Sequence, residues 1–102
     1  MPYFVVIRAR GSAWDWSKPM RKQQNFDAHA KFMDALVVEG FIVAGGPLGD
    51  EDDATRVLHV VEARNSDAVK ARLSEDPWKS DMLETVSVEP WTVLLGALKE
   101  ER

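Results

Sequence analysis

The chain switches between two hydrophobic rhythms. Tyr3-Phe4-Val5-Val6-Ile7 is an unbroken apolar run rich in β-branched and aromatic residues, which predicts a strand buried on both faces. A loop opens at Gly11 and carries Trp14, Trp16 and Pro19. Over residues 22–39 the rhythm becomes helical. Phe26, His29, Met33, Leu36 and Val37 recur along one helix face, with Phe32 at its edge and Gln23, Lys31 and Asp34 away from it. Gly40 then suits a left-handed helix stop. Residues 41–44 form a second apolar run that ends at Gly45-Gly46-Pro47, where the glycines suggest close backbone approach. An acidic turn over 48–53 leads to a third strand over 55–63. There Val57, His59 and Val61 face one way and Leu58, Val60 and Glu62 the other. Asn65 or Ser66 caps a second helix with Ala68, Val69 and Leu73 inward, and Asp76-Pro77-Trp78 closes it. Residues 85–95 predict the last strand, in which Pro90 calls for an edge position or a bulge. Residues 99–102 read as a charged, frayed tail.

The resulting order, βαββαβ, predicts a ferredoxin-like α+β fold with an antiparallel four-stranded sheet. Two helices cover only one face of such a sheet, yet the strands read as apolar on both. A second copy of the same sheet is the simplest cover, so the expected assembly is a homodimer forming a dimeric α+β barrel. At 102 residues, without an internal repeat or linker, the chain fits one domain over 1–102.

Composition narrows the function. Thirteen basic residues are scattered among seventeen acidic ones, for a net charge of −4, which argues against nucleic acid as a partner. The absence of cysteine excludes disulfides, thiolate chemistry and thiolate metal sites. Two histidines in no HxH or HxxxH pair make a histidine-rich metal site a poor fit, and no cofactor is expected. The N-terminal apolar run is too short for a bilayer and lacks a basic flank. The expected setting is therefore cytoplasmic, without membrane contact.

The candidate chemistry lies in a few polar residues. His29 sits on the apolar face of the first helix, and Asp76 follows the second. One reading makes them a satisfied boundary histidine and a turn-starting aspartate. In a βαββαβ fold both helices lie on one sheet face, so the two side chains can meet. Asp76 would then fix the imidazole tautomer and stabilise its cation, leaving the other nitrogen as a general base. Trp14, Trp16 and Trp78 offer flat apolar surfaces for a small aromatic ligand, or serve packing alone. Arg8 could hold an anionic substrate group by a bidentate contact, or lie at a strand end. His59 reads as structural. Gly45-Gly46-Pro47 is no phosphate loop, because no helix or lysine follows in the right place.

Taken together, the segment His29 to Gly40, then Phe41-Ile42-Val43-Ala44-Gly45-Gly46-Pro47, Asp76-Pro77-Trp78, and Pro90-Trp91 near the end, resembles the YciI-like (YCII-related) family. The resemblance runs from the first strand to about Val93. It implies a dimeric α+β barrel with a His–Asp pair at His29 and Asp76. Lyase-type chemistry, dehydrochlorination of a chlorinated aromatic diol, is attributed within that family. One departure stands out: where the family often has an acidic residue after the first strand, this chain reads Arg8-Ala9-Arg10-Gly11. The expectation is a cofactor-independent enzyme of lyase or isomerase type acting on a small molecule. The alternatives are a non-catalytic ligand-binding or accessory module and a cofactorless monooxygenase.

Overall fold

The computed structural model describes residues 1–98, and the tail expected over 99–102 lies outside the described residues. The elements run β1 (Tyr3–Arg10), α1 (Phe26–Val38), β2 (Ile42–Pro47), β3 (Arg56–Glu62), α2 (Ser66–Leu73) and β4 (Leu83–Trp91), with a 3-10 turn at Met20–Lys22 before α1. The strands form one sheet ordered β2-β3-β1-β4, every neighbour antiparallel. This is the ferredoxin-like α+β arrangement that the element order predicts.

Both helices pack on one face. Phe4 and Val6 of β1, Ile42 of β2 and Val61 of β3 meet Leu36 of α1 and Leu73 of α2 in one hydrocarbon cluster. Full burial of a side chain such as Leu36 stabilises the fold by roughly 1.5–3 kcal/mol. Tyr3, Val5 and Ile7 alternate with the cluster residues, so they lie on the opposite face, where they are half-buried. Asn65 caps α2: its Oδ1 accepts from the Ala68 N–H at 2.8 Å.

The element boundaries differ from expectation for identifiable reasons. The first helix starts at Phe26 because Asn25 takes a left-handed conformation, φ 62°, between the 3-10 turn and α1. Its buried stripe leans toward Phe32, which packs on the cluster, while Val37 is exposed. β1 continues through Arg10, since Ala9 pairs with both β3 and β4 and Arg10 still pairs with Leu83 of β4. β2 runs on through Gly45-Gly46-Pro47, which pair with His59, Leu58 and Val57. β4 stops at Trp91 and is an edge strand, which suits Pro90.

β4 also contains a bulge, away from Pro90. Ile7 pairs with Ser87 but Arg8 pairs with Thr85, which leaves Val86 as an extra, exposed residue. Val88, opposite Val6, belongs to the covered face. Beyond the extra residue the alternation restarts, so Thr85 and Leu83 come onto that same face beside Arg8.

Candidate active site

Along the covered face, hydrocarbon gives way to charge. β1 presents Phe4, Val6 and then Arg8 there; β3 presents Val61 and then His59. Into this polar end come His29 from the first turn of α1 and Asp76 from the turn after α2.

Asp76 is 1% exposed and fully engaged. Its Oδ1 accepts from the Trp78 backbone N–H at 2.9 Å, an Asx turn that locks the carboxylate to its own loop. Arg8 Nη1 donates to Oδ2 at 2.9 Å, and Arg8 Nη2 donates to the Leu83 carbonyl at 3.3 Å. His29 Nδ1 lies 2.8 Å from Oδ1 and 3.0 Å from Oδ2. Burial by itself pushes the Asp76 carboxyl up. The hydrogen bond and charge of His29, the Trp78 N–H and Arg8 outweigh it, so the group lies below its ordinary value and stays ionised near neutral pH. An ionised carboxylate only accepts, so the His29 proton sits on Nδ1 and the lone pair of the neutral ring on Nε2.

The imidazole is also held by its flat side. It stacks on Trp78, with centroids 3.9 Å apart and planes 11° from parallel. Trp78 is anchored in turn, its Nε1–H donating to the Gln24 carbonyl at 2.7 Å and its ring meeting Trp14 edge-on at 5.2 Å. His29 keeps 13% of its side chain accessible.

His29 borders a cavity of about 270 Å³, whose wall includes Trp78, His59, Arg10, Met33 and Gly45. An apolar cavity of ~150 Å³ takes benzene, so this one has room for a single small substituted ring. Among the described residues, no three His, Asp or Glu side chains are grouped as metal ligands.

The residues singled out from sequence therefore separate. His29, Asp76 and Trp78 come together. Arg8 does come to the site, but behind Asp76; the residue is 2% exposed, and its guanidinium is spent on the carboxylate rather than offered to a ligand. Trp14 is buried behind Trp78, and Trp16 is half-exposed beside Trp14; neither borders the cavity. Arg10 and His59 do border it, although the sequence reads His59 as structural and gives Arg10 no role. Arg10 is held by the Ala54 and Glu51 carbonyls at 2.7 and 2.5 Å, under the Trp14 ring. The alternation along β1 places Arg10 on the same face as Arg8, which was the available signal.

The fold and this polar end define a ferredoxin-like α+β protein with a histidine and an aspartate joined at the mouth of a small cavity. The chain belongs to the YCII-related domain family, which matches residues 1–92. No curated protein matches the sequence. Among solved structures, 5-chloro-2-hydroxyhydroquinone dehydrochlorinase (TftG) from Burkholderia phenoliruptrix AC1100, in complex with 2,5-dihydroxybenzoquinone, aligns with a TM-score of 0.60 and 20% identity. The alignment covers 95% of this chain and 99% of that one, and at this identity it speaks to fold.

Proposed function

We propose that the protein is a cofactor-independent acid–base enzyme of lyase or isomerase type, acting on a small hydroxylated or keto ring compound. His29 Nε2 takes a proton from the ligand and returns it. Asp76 holds the ring in the tautomer that leaves Nε2 free and stabilises the imidazolium once formed. Arg8 and the Trp78 N–H keep Asp76 ionised and fixed. The observation that carries this reading is the 2.8 Å contact of His29 Nδ1 with Asp76 at a histidine that also borders a cavity. The family and the fold shared with a dehydrochlorinase support it.

The test is incubation with chlorinated and unchlorinated hydroxyhydroquinones in heavy water, following chloride release and ring deuteration. A turnover that falls by about 10²–10⁴-fold in His29→Gln is the expected result. Unchanged turnover in that variant removes His29 from the chemistry. Oxygen uptake with the same compounds would move the reading to a cofactorless monooxygenase.

A non-catalytic ligand-binding module is the second reading, and Arg8 favours it, because a buried Arg–Asp pair is as suited to a structural clamp as to a site. Saturable ligand binding with no proton exchange would select it. The half-buried apolar residues Tyr3, Val5 and Ile7 on the face away from the helices support a homodimer built sheet to sheet, which a monomer mass in light scattering would refute. No helix among the described residues is long and apolar enough to cross a membrane, and a cytoplasmic setting is part of the same proposal.

A further inference from the structure

The cavity beside His29 has a second imidazole in its wall. His59 stands on the covered face of β3, 5% exposed, and neither of its ring nitrogens meets a hydrogen-bond partner among the described residues. A buried polar group left so is destabilising, and such groups are rare enough in folded proteins that each calls for a reason.

Its place depends on Gly45. β2 pairs Gly45 with His59, and a Cβ on Gly45 would stand 2.5 Å from His59 Nδ1. Any larger residue there would displace the ring. A histidine on one strand and a glycine on the next together set an unsatisfied imidazole beside the cavity.

Burial keeps this ring neutral, and the nearby charges of Arg8 and His29 add to the effect against a smaller opposing pull from Asp76; the ring is pushed down to about 4. A neutral imidazole has one N–H donor, far too weak an acid to surrender its proton near neutral pH. Such a donor can polarise a carbonyl while a separate base removes the proton.

We propose that His59 Nε2–H donates a hydrogen bond to the ligand oxygen on which negative charge develops as His29 Nε2 removes a proton. The cavity would thus take carbonyl or phenolic compounds that react through an enolate or phenolate. This rests on the acid–base reading above. The C–H or O–H bond breaks toward His29, and its electron pair is delocalised onto the oxygen facing His59. His29 then holds the proton as an imidazolium beside Asp76. It returns the proton to a different atom, which completes an isomerisation. Otherwise the oxygen re-forms its carbonyl as an anionic leaving group departs with its bonding pair, and His29 releases the proton to water.

The test uses 4-nitrophenol as an enolate mimic and intact protein with ¹⁵N-labelled histidine. The expected result is saturable binding, a downfield move of the His59 Nε2–H signal, and ionisation of the bound phenol favoured roughly tenfold over solution, as a charge-assisted hydrogen bond supplies. His59→Phe should lose the ionisation shift, and His59→Gln, which keeps a donor, should keep part of it. Should His59→Phe fail to fold, Gly45→Ala displaces the ring and should diminish the shift. Absence of saturable binding, His59 signals unmoved at saturation, or an undiminished shift in His59→Phe overturns the proposal. The acid–base reading fails separately, through turnover that survives His29→Gln while the His59 signals still respond.

Discussion

The two ends of the covered sheet face solve the same packing problem differently. At one end Phe4, Val6, Leu36, Val61 and Val69 fill the space between helices and sheet with hydrocarbon alone. At the other, two residues along β1 and β3, the same space holds Arg8, Asp76, His29 and His59. Hydrocarbon needs only volume and shape. Buried charge needs every partner in place, because a lone ion in a dry interior is far costlier than a cavity. The polar end is therefore over-determined. Asp76 alone is fixed by an arginine, a histidine and a backbone N–H from three different parts of the chain.

The sharpest way to break this contrast is to remove one partner at each end. Arg8→Met leaves Asp76 short of its cation and should cost about 3–5 kcal/mol in urea unfolding. Leu36→Ala should cost about 2–5 kcal/mol. The two differ in what they do to the site: Arg8→Met should alter the His29 ring signals and Leu36→Ala should not. Equal responses would abolish the distinction between the ends.

Acid should act mainly on the polar end. His59 in the folded protein is held at about 4, against 6.5 for an ordinary histidine, so the unfolded chain binds the extra proton between those values. Stability should therefore be whole above pH 6.5 and fall as the pH drops toward 4. At about 1.4 kcal/mol for each pH unit between those values, the loss comes to roughly 3 kcal/mol. His59→Leu should flatten that slope, and a slope that persists in the variant assigns it elsewhere. Below 3.8 a further loss begins. Asp76 lies lower in the folded state than its ordinary 3.8, so its contribution is present above 3.8 and disappears as the pH falls through the depressed value.

Two smaller effects refine the picture. Asn65→Ala removes the cap of α2 and should cost about 1 kcal/mol by thermal unfolding, with the His29 signals unchanged. Trp16→Ala should leave 4-nitrophenol affinity within about 0.5 kcal/mol of the parent, since Trp16 does not border the cavity.

The hydrocarbon end was largely legible in the sequence, because period-2 and helical spacing report burial directly. The shared face of Val57, His59 and Val61 follows from that logic, and residue type narrows the cap of α2 to Asn65 or Ser66, of which Asn65 caps it. The polar end was legible only in part. His29 stood out as a polar residue on an apolar helix stripe, and Asp76 as a turn aspartate beside it. Spacing carried no sign that Arg8 turns onto Asp76, since that contact joins residues 68 apart. α1 starts at Phe26 rather than at 22 because Asn25 is left-handed, which hydrophobic spacing does not report. His59 reads as structural in the sequence, and its lack of a partner among the described residues is what makes it informative.

The bulge in β4 marks a point where this chain should tolerate a change of length as well as of spelling. Val86 makes little use of its own side chain, which points largely into solvent, so most substitutions there should pass unnoticed. Deleting it would join Thr85 to Ser87 and turn the bulge into a regular ladder, with Thr85 still opposite Arg8 and Leu83 still inward. A library that varies letters at this position would report tolerance. One that varies the number of letters should find the loss of this one tolerated too, since the pairings on either side of it are kept.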